Sequence, residues 1–141
     1  MGTHYWLMKT EPETFSFEDL IRDKKTSWDG VRNYQARNNL KRMKNGDQVL
    51  IYHSVKRREV VGIAEVIREA YPDTTENTPA EKGWVMVDVK PIRVLKRPVT
   101  LDEIKKESAL KDIALIRQSR LSVMPLLKSE FDLIKKRGES G

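Results

Sequence analysis

The chain has 141 residues, with 27 Lys and Arg against 21 Asp and Glu, a net charge of +6, a pI near 9.5 and no cysteine. That length suits one domain with its own core. The absence of Cys excludes disulfides, thiolate metal sites and thiol catalysis, and the basic balance favours polyanionic partners such as nucleic acid. No apolar run near the N-terminus is long enough for a signal peptide or a membrane span. The expected setting is therefore a reducing compartment, cytoplasmic or, in a eukaryote, nuclear.

In chain order, His4 to Met8 reads as a first strand that leaves into Lys9-Thr10-Glu11-Pro12. Ser16 and Asp19 form a capping-box pattern and predict a short helix over Phe17 to Asp23. Trp28 to Arg32 reads as a loop around Gly30. Asn33 caps a helix with Ala36, Leu40 and Met43 on its apolar face, stopped at Asn45-Gly46. Strands follow at Asp47 to Ser54, where the pattern alternates, and at Glu59 to Tyr71. Lys56-Arg57-Arg58 forms the turn between them, and Gly62 and Ala64 mark bulges or close approaches. Pro72 to Gly83 is a polar loop, expected to be mobile, and Trp84 to Leu95 is another strand. Thr100 and Glu103 repeat the capping box for a helix near Leu101 to Lys106. A helical turn is expected at Ala109 to Leu115, a short strand at Arg120 to Met124 ended by Pro125, and a last helix capped by Ser129. With no repeat and no linker, the expectation is one α+β domain, a small mixed barrel with peripheral helices.

The stretch Trp28 to Asn39 carries the chemistry. Twelve positions hold Trp, Tyr, three Asn, Gln and two Arg. Amides offer paired donors and acceptors for a base edge, and aromatic faces offer stacking. Trp28 is weighed equally as cage and as core. Tyr52-His53-Ser54 is either an ordinary strand end or part of the same site. Taken alone, Trp6 reads as core, Lys9 as surface, Arg57-Arg58 as a solvated turn and Arg120 to Pro125 as a final strand. Catalytic patterns are nearly absent. His4 and His53 are the only histidines, and His53 and Ser54 would point to opposite faces of a strand. No Walker loop or dinucleotide glycine pattern occurs, so neither a metal nor a cofactor is expected.

Together the segments pass a threshold that none passes alone. Trp6-x-x-Lys9-Thr10-Glu11-Pro12, then Trp28 to Asn38, Gly46-Asp47 to Ser54, Val61 to Val66, Ala70-Tyr71-Pro72-Asp73 and Arg120 to Pro125 occur in this order. The ordered set resembles the EVE domain family over roughly His4 to Lys136. The resemblance implies a PUA-like fold, a twisted β-barrel with flanking helices, shared with YTH and ASCH domains. It implies a non-catalytic reader of a modified base in DNA or RNA. Carried over, the pocket would be lined by Trp6, Lys9, Trp28, Asn33, Tyr34, Arg37, Tyr52, His53, Ser54, Ser122 and Val123.

On that reading Trp28 stacks on an extruded base, helped by Trp6 or Tyr34, while Asn33 and Ser54 bond its edge. Trp28, Asn33, Ser54 and Ser122 should then share one cavity. Lys9, Arg32, Arg37, Arg57, Arg58 and Arg120 meet phosphates, which makes binding salt-dependent. Two alternatives use the same residues. One is a nucleotide- or RNA-processing enzyme with His53 as its general acid or base; the other is a protein-interaction module.

Overall fold

A central strand buried on both faces organises the molecule. In the computed structural model, which describes residues 2–75 and 83–140, Val49 to His53 are all buried. The segment is therefore a continuous buried run, not the half-buried alternation its sequence suggests. It belongs to β3 (Gln48–His53), which pairs in parallel with β1 (Tyr5–Thr10) and antiparallel with β4 (Glu59–Pro72). Beyond β4 lies β5 (Val85–Thr100), then the short β2 (Thr26–Trp28); beyond β1 lies β6 (Val123–Leu126). The order β2-β5-β4-β3-β1-β6 makes one mixed six-stranded sheet. The fold is α+β.

The expected barrel is not closed. Among the described residues β2 and β6 form the two edges of the sheet and do not pair with each other. The sheet is nevertheless strongly bent. Register slips at Ile51/Tyr52 between β3 and β4, and at four places between β4 and β5, and each bulge adds local twist. Gly62 sits between two of these slips, and a Cβ there would lie 2.4 Å from the Phe17 ring. The strand needs glycine so that the ring can rest on its backbone.

Helices α1 (Phe17–Asp23), α2 (Tyr34–Arg42), α3 (Leu101–Lys106), α4 (Ala114–Arg117) and α5 (Lys128–Glu139) surround the sheet. Ser16 and Thr100 close the expected capping boxes and Asn33 caps α2 through Ala36. Other boundaries differ from the sequence reading. Residues 26–28 form a strand where a loop was expected to begin, because they pair with Val87 to Val89. Helix α2 ends at Arg42, and Gly46 takes its positive φ in the following turn, where its N–H bonds Val66. Strand β5 runs to Thr100, past Pro91 and Pro98. Strand β2 covers it only at Val87 to Val89, which leaves the proline-containing stretch as an edge where proline is tolerated. Pro125 lies within β6, itself an edge strand. The N-cap of α5 is Leu127, whose amide bonds Glu130, and not Ser129. The expected turn near Ala109 is a 3-10 turn at Ser108–Leu110 followed by α4. Most of the expected Pro72–Gly83 loop, residues 76–82, lies outside the described residues.

A buried carboxylate ties the N-terminal strand to the α2–β3 turn. Asp47 accepts from the His4 amide at 3.0 Å, the Trp6 indole Nε1 at 2.9 Å and the Lys44 amide at 2.9 Å. Removing it would strand the buried Trp6 indole donor, at a cost of about 1–3 kcal/mol, and would leave the two part-buried amides of His4 and Lys44 to water. Asp47→Ala is therefore expected to destabilise the fold by about 1–3 kcal/mol in denaturant unfolding. A loss below about 1 kcal/mol would refute this role.

Candidate nucleic-acid interface

The two edges of the bent sheet meet across a cavity of about 600 Å3. One wall comes from the end of β1 and the approach to β6: Lys9, Thr10 and Ser122. The opposite wall comes from β2 and its exit: Thr26, Ser27, Trp28, Asp29, Gly30, Val31 and Arg32. The turn Glu11, Thr14 and Phe15 completes it. This volume lies in the range of small-ligand sites.

Each wall is held rigid by its own bonds. The Lys9 amide donates to the Ser122 carbonyl, which joins β1 to the approach to β6. Amides of Thr14 and Phe15 both bond the Glu11 carbonyl, and Thr10 Oγ1 donates to the Phe15 carbonyl. Phe15 and Trp28 meet edge to face with centroids 6.3 Å apart and form an aromatic corner. Ser27 Oγ lies 3.0 Å from the Tyr71 hydroxyl, which in turn bonds Asp88.

The exit of β2 is pinned by Asp73. Its side chain is fully buried and accepts from the Gly30 amide at 2.9 Å, Arg32 Nη1 at 3.0 Å, and the amide and hydroxyl of Thr75. Burial alone would raise its pKa, but these bonds outweigh burial and hold the carboxyl well below the usual range. In the sequence Asp73 stands at the end of Ala70-Tyr71-Pro72-Asp73, and its role depends on a contact 43 residues away.

Four of the candidate residues come together here: Lys9, Trp28, Arg32 and Ser122. Lys9 extends over Tyr52, with Nζ 5.9 Å from the ring centroid and 2.7 Å from the Ser119 carbonyl, and partial burial lowers its pKa. Trp28 is 8% exposed and packs with the core while facing the cavity, so it serves as both wall and core. Arg32 places part of its guanidinium on Asp73 and the Val31 carbonyl, which commits that edge to shaping the loop.

The remaining candidates lie elsewhere. Trp6, 3% exposed, is a core residue bonded to Asp47, so it cannot stack on a base. Tyr52 and Val123 are buried in the sheet, and the Val123 carbonyl accepts from Asn39. His53 is 1% exposed and its Nε2 accepts the Phe17 amide at the start of α1, so it lies outside the cavity. Ser54 begins the β3–β4 turn, and its amide bonds Thr10. Asn33 spends its Oδ1 on capping α2 and faces a second cleft with Gln35, Arg117, Gln118, Ser119, Arg120 and Leu121. The expected grouping of Trp28, Asn33, Ser54 and Ser122 in one cavity thus holds only for Trp28 and Ser122. The reason is geometric: the stretch from Trp28 to Asn39 spans a strand end, a loop and a helix, and helical periodicity sends its amides in different directions. Arg57 and Arg58 are exposed on the β3–β4 turn, away from the cavity lining. The neighbouring Lys56 nonetheless pairs with Glu13 on the rim turn. Tyr34 and Arg37 lie outside the cavity, beside Trp84. The sequence reading did not single out Thr10, Glu11, Phe15, Ser27 or Asp29 as site residues. Thr10 and Glu11 stand in the quoted N-terminal motif, while nothing local marks Phe15.

Comparison with known proteins agrees with this architecture. The EVE domain model matches residues 4–137. The chain belongs to the EVE domain family. Thymocyte nuclear protein 1 of Rattus norvegicus is 42% identical over 163 residues, covering 94% of this chain and 72% of the relative. A hypothetical protein from Leishmania major superposes with a TM-score of 0.92 at 45% identity, over 98% of this chain and 96% of that one. The human THYN1 protein, solved in complex with DNA containing 5-methylcytosine, superposes with a TM-score of 0.90 at 36% identity over 99% of each chain.

Two stability predictions follow from these placements. Trp28→Ala is expected to cost about 3–5 kcal/mol of folding free energy, because the residue is core as well as wall. An unfolding free energy within about 1 kcal/mol of the parent would show that Trp28 carries no packing. Burial lowers the pKa of His53 below 6.5, so the folded state prefers the neutral ring. This stabilisation is complete above pH 6.5 and is lost as the pH falls through the depressed folded value. The proton would also remove the acceptor for the Phe17 amide. A fall in Tm below pH 6.5 is expected to be smaller in His53→Gln, which keeps an acceptor and does not titrate; identical pH profiles would refute this.

Proposed function

We propose that this EVE domain is a non-catalytic reader that takes one extruded, modified base of DNA into the cavity between the sheet edges. The observation that carries this reading is the composition of that cavity. It combines the Trp28–Phe15 corner, apolar Val31, several hydroxyls and the cations Lys9 and Arg32 in a space of about 600 Å3. The ring faces supply stacking, worth about 1–3 kcal/mol per base. This offsets the few kcal/mol needed to take a base out of a duplex. The carboxylates of Glu11 and Asp29 have no hydrogen-bond or ion-pair partner among the described residues. They suit an exocyclic amino group such as N4 of cytosine. A 5-methyl group fills apolar space worth only about 0.8 kcal/mol, so the edge contacts must provide most of the base identity.

The human relative's complex with 5-methylcytosine DNA makes that base the first to test. The names of the vertebrate relatives place those proteins in the nucleus. An enzymatic reading gains little support, because its one obvious acid or base, His53, is buried and engaged with α1. Lys9 at the cavity, Arg120 in the neighbouring cleft and Arg57 and Arg58 beside the rim turn are the candidates for phosphate contacts, whereas Arg32, expected among them, has Nε and Nη2 buried and Nη1 on Asp73.

The test is a binding panel at fixed salt with oligonucleotides that differ only in one base: cytosine, 5-methylcytosine, thymine or adenine, as DNA and as RNA. A preference for 5-methylcytosine DNA is expected, with thymine rejected despite its methyl group. Ser122→Val should reduce that preference, whereas Lys9→Ala should weaken all the oligonucleotides about equally. Affinity should fall steeply with salt concentration. Equal affinity for all bases would overturn the reading.

A further inference from the structure

Outside the cavity, Tyr34 and Trp84 form a stacked pair with ring centroids 5.1 Å apart and planes 22° from parallel. Tyr34 opens helix α2 and is 56% exposed. Two guanidinium groups flank the pair. Arg37 Cζ lies 4.9 Å from the Tyr34 centroid and 6.0 Å from that of Trp84, and Arg32 Cζ lies 5.6 Å from that of Trp84. Arg32 also lines the base cavity. The aromatic pair is therefore continuous with the cavity through one residue, and Asn33 between Arg32 and Tyr34 lines the second cleft.

We infer that this pair is a stacking platform for the nucleotide that flanks the extruded base. The inference rests on the cavity being the base site. Extrusion leaves the neighbouring base with one bare face, since its former partner has left the stack. An exposed flat ring beside the cavity restores that contact. Stacking of this kind accepts any base, because every base has a π-face. The Arg37 guanidinium beside Tyr34 suits a phosphate of such a nucleotide, while Arg32, turned inward onto Asp73, supports the Trp84 face of the pair. The platform thus adds affinity without adding selectivity, and the cavity does the converse.

The experiment uses the full chain and oligonucleotides carrying one 5-methylcytosine with 2-aminopurine as its 5′ or 3′ neighbour, as single strands and as duplexes. The emission of 2-aminopurine rises when it loses a stacking partner. In the saturated complex with the parent protein, emission should stay low at one of the two flanks. Tyr34→Leu, which keeps an apolar cover over Trp84, should raise that emission. The same variant should weaken binding on the order of tenfold for modified and unmodified oligonucleotides alike. Tyr34→Phe should behave as the parent. Equal emission and affinity in Tyr34→Leu and the parent would overturn the platform and leave the pair to a protein partner. If the parent binds with low flank emission but no preference for the modified base, the cavity reading fails. If it shows the preference with high emission at both flanks, the platform fails and the cavity reading stands.

Discussion

The cavity depends on one buried carboxylate. Asp73 gathers the Gly30 amide, the Arg32 guanidinium and the amide and hydroxyl of Thr75 onto a side chain without solvent contact. Were these donors absent, burial of the charge would be strongly unfavourable. With them in place, the segment leaving β2 is tied at Gly30 and Arg32, just after the cavity residues Trp28 and Asp29. Preorganisation of this kind lowers the ordering cost of binding. Asp47 plays the corresponding part at the base of β1.

The topology explains why the site lies where it does. A sheet whose strands bulge repeatedly along β4 and β5 curls until its edges approach, yet here they do not pair. The gap between them is where side chains from β2 and from the end of β1 face one another. In a closed barrel this gap would be filled by ladder hydrogen bonds. An open one leaves polar edge groups and aromatic faces available to a ligand, which is the recurring solution for sites at sheet edges.

Charge and shape divide the work across this face. Lys9 and Arg32 line the cavity, Arg120 lines the neighbouring cleft, and Arg37 lies beside Tyr34 and Trp84. The cations carry the attraction to a polyanion, while Trp28 and Phe15 provide a surface that only an unstacked base can reach. Glu11 and Asp29 oppose the attraction in general but suit a donor on the base edge. A site that admits carboxylates among its cations gives up some affinity and gains discrimination between amino and carbonyl edges.

Much of the architecture was legible from local signals. The capping boxes at Ser16 and Thr100, the Asn33 cap, the strand starts and the close approach at Gly62 are decided within a few residues, by caps, breakers and side-chain periodicity. The ordered motifs were enough to indicate the family. What the sequence could not decide was which polar residues face each other. Trp6, Tyr52 and His53 entered the expected pocket through the family resemblance, and Asn39 lay at the end of the amide-rich stretch. Contacts 36 to 84 residues distant turn three of them into structure: Asp47 takes the Trp6 indole, the Phe17 amide takes His53, and Val123 takes Asn39. Phe15, Ser27 and Asp73 became part of the site for the same reason in reverse. The sequence by itself therefore determined most of the elements, the basic charge and the family, since these rest on short-range chemistry; strand β2, which exists by pairing with Val87 to Val89, was not among them. The tertiary structure decided the cavity and its lining, because a pocket between sheet edges exists only once distant strands have paired and bent.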